Sequence, residues 1–194
     1  MTMKDAGCYQ VRMGVETGNQ YIRNTVYNRG MSNEDIFNAV DIIRKNNLQL
    51  RLYFMVGAPL ETVEMMHESL EMADKLHADE IFFGLLYPLP GTDILKLCEE
   101  EQVLEVKSES NLTEIGPIKK TKFASSTQIN RFLQQVKRWQ MKQYIQDGLK
   151  LRGPFFVLDC LRFIFLYKTQ YDFEIDQLFR WNVQRYKLNQ VWKE

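Results

Sequence analysis

Three short turn motifs punctuate the first half of the chain, each where an extended apolar run gives way to a helical pattern. They are Gly14-Val15-Glu16-Thr17-Gly18-Asn19, Gly57-Ala58-Pro59-Leu60-Glu61-Thr62 and Pro88-Leu89-Pro90-Gly91-Thr92. A strand that repeatedly ends in a permissive turn and restarts as a helix is the mark of parallel β-α units, whose ligand sites lie at the carboxyl ends of the strands. The chain therefore reads as a slice of an enzyme.

The element boundaries follow from period and caps. Gln10 to Val15 reads as a strand and Tyr21 to Val26 as a helix that stops near Gly30. Ser32 with Asp35 three residues on forms a capping box, and Ile36, Ala39, Val40 and Ile43 recur on one helical face as far as Lys45-Asn46-Asn47. From Leu48 the period becomes two: Leu48, Leu50, Leu52, Phe54 and Val56 alternate with Gln49, Arg51, Tyr53 and Met55. The apolar set is expected to face outer helices, with Arg51, Tyr53 and Met55 turned inward. Thr62 caps the next helix, whose Met66, Leu70, Ala73 and His77 line one side, with Glu61 and Glu64 favoured near its positive end. The continuous run from Glu80 to Tyr87 reads as a parallel strand covered on both faces, and Thr92 opens a further helix through Ile94, Leu97 and Cys98.

Beyond Val103 the strand signals stop. Lys107 to Lys122 reads as a loop, Ser125 with Gln128 opens a long helix to Leu149, and Gly153-Pro154 breaks it ahead of two aromatic-rich helical stretches, Phe155 to Lys168 and Phe173 to Val191. The expected organisation is an α/β part over residues 1–104, a linker over 105–127 and a helical extension over 128–194.

Composition narrows the function. The 194 residues are 45% hydrophobic, enough for a good core, and 25 basic residues balance 25 acidic ones. With no summed field for a nucleic-acid backbone, RNA and DNA are not expected partners. Cys8, Cys98 and Cys160 are too scattered for a local metal clip, and their odd, sparse count fits a reducing cytoplasm. The start of the chain lacks an apolar signal core, and the run Phe155 to Tyr167, interrupted by Asp159 and Arg162, is too short to span a bilayer. A cytoplasmic protein without a transmembrane segment is expected.

The three motifs, in this order and with these gaps, resemble the second half of the radical S-adenosylmethionine core. The wording Ala6-Gly7-Cys8, Gly14 to Asn19, Asn28-Arg29-Gly30-Met31-Ser32 and Met55 to Thr62 looks most like the cobalamin-binding subgroup, over residues 6–104. The resemblance implies an α/β fold: the C-terminal half of a partial parallel (β/α)6 TIM-like barrel, strands four to six, followed by an α-helical extension. It implies S-adenosylmethionine as cofactor and methyltransferase or cyclase chemistry. The CxxxCxxC loop that would hold a 4Fe-4S cluster is not in this sequence, and neither is a cobalamin domain; the resemblance implies both only in a complete relative, with a companion chain carrying the N-terminal half-barrel as a candidate partner. The chain alone is not expected to generate a 5′-deoxyadenosyl radical.

The resemblance also assigns cofactor contacts. Glu16 and Thr17 would meet the cofactor's ammonium, ribose or carboxylate, with a helix-starting turn as the plainer role. Arg29 stands where relatives pair an arginine with the methionine carboxylate, though a solvated helix-end cation looks the same in sequence. Gly57 and Pro59 would approach the adenine, serving equally as turn chemistry, while Glu61 stabilises its helix start. Tyr53 and Met55 would face the adenosine or fill the interior, and Tyr87 and Pro88 would close near the adenine. No residue is assigned a catalytic or metal-binding role: His67 and His77, ten residues apart on one helix, point to different faces. The tail aromatics, among them Phe155, Phe156, Phe163, Phe165, Phe179 and Trp181, read first as core and second as a wall for a small-molecule, lipid or tetrapyrrole-like substrate.

Three other readings stand beside this one: a non-catalytic split or truncated product, a lipid-associated helical module, and a tRNA-modifying relative of the methylthiotransferases, disfavoured by the neutral charge and helical tail. In every case Gln10 to Val15 is expected to be an unpaired edge that drives self-association unless covered.

Overall fold

In the computed structural model, residues 3–104, 117–158, 160 and 161 are described. The chain divides into two compact units, Met1–Leu133 and Gln134–Glu194. The first unit is built on three parallel strands, β1 (Gln10–Glu16), β2 (Gln49–Val56) and β3 (Glu80–Leu85), side by side in chain order. Helix α1 (Asn33–Lys45) links β1 to β2, α2 (Val63–Leu76) links β2 to β3, and α3 (Asp93–Glu100) follows. Helix α4 (Ser126–Arg152) begins in the first unit and runs on in the second.

Register sorts the side chains into two faces. Val11 stands beside Leu50, Met13 beside Leu52, Leu52 beside Ile81 and Phe54 beside Phe83, so one face is apolar throughout. Leu50, Leu52, Phe54 and Val56 are all essentially inaccessible. Each such side chain contributes about 1.5–3 kcal/mol through burial. The rings of Phe54 and Phe83 stack at 4.8 Å, and Phe132 of α4 meets Phe83 edge-on at 6.2 Å. Right-handed crossovers carry α1 and α2 to this same side of the sheet.

The caps lie where the sequence puts them. Ser32 Oγ accepts from the Asp35 amide at 3.1 Å while the Asp35 carboxylate accepts from the Ser32 amide at 2.9 Å. Thr62 and Thr92 accept from the amides of Met65 and Leu95, and Ser125 and Gln128 form a second reciprocal box. The segment Tyr21 to Val26 is helical but wound as a π turn, Ile22–Val26, closed by the Tyr27 amide donating to the Ile22 carbonyl at 3.0 Å.

Four expectations need correction. The half-barrel is absent: the described residues hold a flat-topological run of three strands with two open edges, and an α/β fold is all that survives of that expectation. A barrel interior is packed with branched apolar layers, whereas the face of the sheet opposite α1 and α2 carries Gln10, Arg12, Arg51 and Glu80. There Arg51 pairs with Glu80, Gln10 donates to Glu80 at 3.1 Å and Arg12 donates to Gln10 at 3.2 Å. For the same reason β3 is not covered on both sides: Phe82 on the polar face is 48% exposed. Helix α2 buries Met66, Ser69, Met72, Ala73 and Leu76, while His77 is its exposed left-handed C-cap at φ 46°. Finally, Glu61 is not a helix-start charge: its carboxylate turns back to accept from the Gly57 and Ala58 amides.

In the second unit Tyr144, Phe156 and Cys160 form a small cluster with Leu151. The Phe156 ring lies against the backbone of Gly148, where a methyl group would collide with it. Gly153, at φ 57°, ends α4. Residues 105–116 of the expected loop, most of the stretch Phe155 to Lys168 and all of Phe173 to Val191 lie outside the described residues.

Candidate functional site

The carboxyl end of β1 is shaped by a bulge. Register slips between Gly14 and Glu16, and Glu16 takes a left-handed conformation, φ 68°, which a glutamate adopts only when its surroundings impose it. The twist folds its carboxylate back over Gly14, where a Cβ would strike the Glu16 carboxylate and lie 3.5 Å from the Arg29 guanidinium. Glu16 is 6% exposed and forms an ion pair with Arg29, whose side chain is half exposed. The glycine therefore makes room for a buried carboxylate clasped by a solvent-facing arginine.

The next residues are framework. Thr17 is fully buried, its hydroxyl 3.1 Å from that of Ser69 on α2, and the Gly18 amide donates to the Ser69 hydroxyl at 2.8 Å. A Cβ on Gly18 would run into the α2 backbone at Glu68 and Ser69. Asn19 donates to the Glu68 carboxylate at 2.8 Å and accepts from the Ile22 amide at 3.0 Å. Beneath them Arg23, with no exposed surface, donates to the carbonyls of Thr17 at 2.8 and 3.1 Å, Gly18 at 3.3 Å and Met31 at 3.2 Å, and to Asn33 Oδ1 at 2.9 Å. Burial lowers its pKa. Sequence reasoning missed Arg23, because nothing in Tyr21-Ile22-Arg23 marks this arginine as internal. Thr17, expected at the cofactor, is placed inside this scaffold.

At the end of β2, Gly57 stands at φ 98°, a conformation that favours glycine, and a Cβ there would lie 3.3 Å from Ile118. The Glu61 carboxylate turns back and accepts from the Gly57 amide at 2.7 Å and the Ala58 amide at 3.3 Å. Glu61 is fully buried and its other oxygen, Oε1, has no partner; burial raises its pKa to about 7 against the pull of those two amides. The Tyr27 hydroxyl is likewise buried without a partner. Its pKa is well above the usual value, through burial first and then the charges of Glu61, Glu16 and Cys98. The turn is held from outside by Thr121, which donates to the Glu61 carbonyl at 2.7 Å, and by the Lys122 amide, which donates to the Pro59 carbonyl at 2.8 Å.

The end of β3 joins the same region. The Leu86 amide donates to the Val56 carbonyl at 2.8 Å, and the Ile118 amide donates to the Leu86 carbonyl at 2.9 Å. Leu86, Cys98, Val103 and Ile118 form a buried cluster against which Tyr27 and Met55 pack, and Pro88 is buried beside Leu86 in sequence. Burial lifts the Cys98 thiol to about 11, so it is an inert core group.

The sequence-derived residues thus fall into three sets. Glu16 and Arg29 meet each other at the strand ends. Gly57, Pro59 and Pro88 belong to buried turns nearby, Gly57 lying under Ile118. Tyr53 stands apart on the polar face, its ring 6.0 Å from that of Phe82. His67 bonds the Val63 carbonyl at 2.9 Å and packs edge-on to Phe132. Among the described residues no three His, Cys, Asp or Glu side chains gather as a metal site, and no helix is long and apolar enough to cross a membrane.

The geometry defines an α/β protein with a buried polar centre at the carboxyl edge of a parallel sheet, and two archaeal proteins are similar to it in sequence. The chain is 29% identical over 134 residues to the uncharacterized methyltransferase PH0819 of Pyrococcus horikoshii, covering 69% of this chain and 29% of that protein. It is 32% identical over 83 residues to the uncharacterized protein MJ0966 of Methanocaldococcus jannaschii, covering 40% of this chain and 18% of that one. The chain spans less than a third of either relative's length. No family model matches it.

Proposed function

We propose that this chain is the part of a radical-type, S-adenosylmethionine-dependent methyltransferase that holds the amino-acid end of the cofactor. The observation that carries the reading is the Glu16–Arg29 pair at the end of β1. Methionine's ammonium and carboxylate are the mirror of that pair. Glu16 supplies a carboxylate for the ammonium, and Arg29, which spends one terminal nitrogen on Glu16, keeps further N–H donors for a carboxylate. The methyltransferase name of the Pyrococcus relative supports the same cofactor.

The fit is partial by design. Gly57, Pro59 and Pro88 act as the frame beside the site, with Ile118 forming its wall at Gly57. The residues described do not fit an iron–sulfur cluster, and the reading assigns cluster and cobalamin to other polypeptide, along with most of the small-molecule, lipid or tetrapyrrole-like substrate pocket. When bound, S-adenosylmethionine supplies the transferable methyl or the radical precursor; this chain binds and orients it and shields its charged end.

Calorimetric titration separates the amino-acid end from the nucleoside. S-adenosylmethionine and S-adenosylhomocysteine are expected to bind at least about tenfold more tightly than 5′-methylthioadenosine, which lacks the zwitterion. Equal binding of all three, or none of any, contradicts the reading.

A further inference from the structure

Helix α4 concentrates positive charge in a chain that is neutral overall. Arg131, Lys137, Arg138, Lys142, Lys150 and Arg152 are basic, and Asp147 alone on that helix is acidic. Within the second unit Arg138, Lys142, Ile145, Leu149 and Arg152 recur at steps of four and three, which stacks them in one stripe along the helix. All five are exposed. The side of α4 that packs against Phe156 and Cys160 is a different one, formed by Tyr144, Gly148 and Leu151. Asp147 falls on the side opposite the stripe, which therefore holds cations and aliphatic groups without an acid. Among the described residues neither Arg138 nor Lys142 has an ion-pair partner. Past the turn at Gly153 the apolar surface continues, with Phe155 64% exposed and Leu158 and Leu161 exposed as well.

We propose that this stripe docks on the surface of an anionic lipid bilayer. The helix lies in the interface plane, Ile145, Leu149 and Phe155 enter the headgroup boundary, and Arg138, Lys142 and Arg152 meet lipid phosphates. Charge sets the sign of the partner: a cationic stripe is drawn to an anionic leaflet within a Debye length, roughly 8 Å at physiological salt. The interleaving sets its kind. A nucleic-acid backbone would engage the cations but offers nothing to the aliphatic groups between them, whereas a bilayer interface receives both. Long apolar stems let the arginine and lysine heads stay at the phosphates while the helix settles. The inference uses neither Glu16 nor Arg29 and stands apart from the cofactor reading.

Flotation of the full chain with vesicles tests it, using phosphatidylcholine alone and an equal mixture of phosphatidylcholine and phosphatidylglycerol. Binding to the mixed vesicles is expected to be at least about tenfold stronger, and to fall away at high salt. The double variant Arg138→Gln with Lys142→Gln is expected to lose at least about tenfold in vesicle affinity, and Ile145→Gln with Leu149→Gln at least about fivefold. Because all four positions are exposed and glutamine suits a helix, melting temperatures should stay within about 2 °C of the parent. Equal binding to the two vesicle types overturns the proposal. So does vesicle binding indifferent to the charge variant, which puts the contact elsewhere, or indifferent to the apolar variant, which marks a plain polyanion site such as a nucleic acid would use.

Discussion

Glu61 shows how one residue couples a turn to proton uptake. Its carboxyl is inaccessible, with one oxygen held by the amides of Gly57 and Ala58 and the other unpartnered. Folding raises its pKa from 4.5 to about 7, so between those values the folded chain binds a proton that the unfolded chain has lost. The resulting stability is complete below the unfolded value and disappears as pH rises through the folded one. Stability is expected to fall by on the order of 2–3 kcal/mol between about pH 4.5 and 7. Urea unfolding at pH 5 and pH 8 measures it, and Glu61→Gln, which keeps an acceptor for the two amides without a charge, should flatten the decline. An equal decline in the variant would place the titrating group elsewhere.

At the scale of elements, the loop after β1 is fastened from below. Arg23 gives its guanidinium to three backbone carbonyls and Asn33, tying the bulge, the π turn and the start of α1 together. Arg23→Lys removes the planar fork and leaves buried carbonyls unpaired, and chemical denaturation is expected to show a loss of about 2–4 kcal/mol. Arg29 is half exposed but leaves the buried Glu16 carboxylate without its partner when replaced, and about 1–3 kcal/mol is the expected loss. A small effect at Arg23 would mean that the loop is held by Thr17 and Ser69 alone. Such fastenings were invisible in sequence, since they depend on which distant backbone a side chain reaches. Caps were legible because Ser32, Thr62 and Thr92 act on amides three residues away, and β2 was legible because alternation is local. Motif order located the strand ends, hence Glu16 and Arg29. Barrel curvature was not legible: strand number and closure belong to the whole sheet, and Arg51, expected to turn inward, pairs with Glu80 instead of packing a core.

For the whole molecule, protection should follow the sheet's asymmetry. The central strand β2 is paired on both sides and buries its apolar row, whereas β1 is paired on one side only. Amide exchange of the isolated chain is expected to be at least about tenfold slower across β2 than across β1. Uniform protection would show that β1's outer edge is covered.

Charge matching at the Glu16–Arg29 pair is what the proposed cofactor contact depends on, so the decisive measurement is ligand affinity in the Arg29→Gln variant. S-adenosylmethionine is expected to lose at least about tenfold in affinity while 5′-methylthioadenosine is unaffected, since only the former carries a carboxylate for the guanidinium. Equal losses for both ligands, or no loss for either, would contradict it.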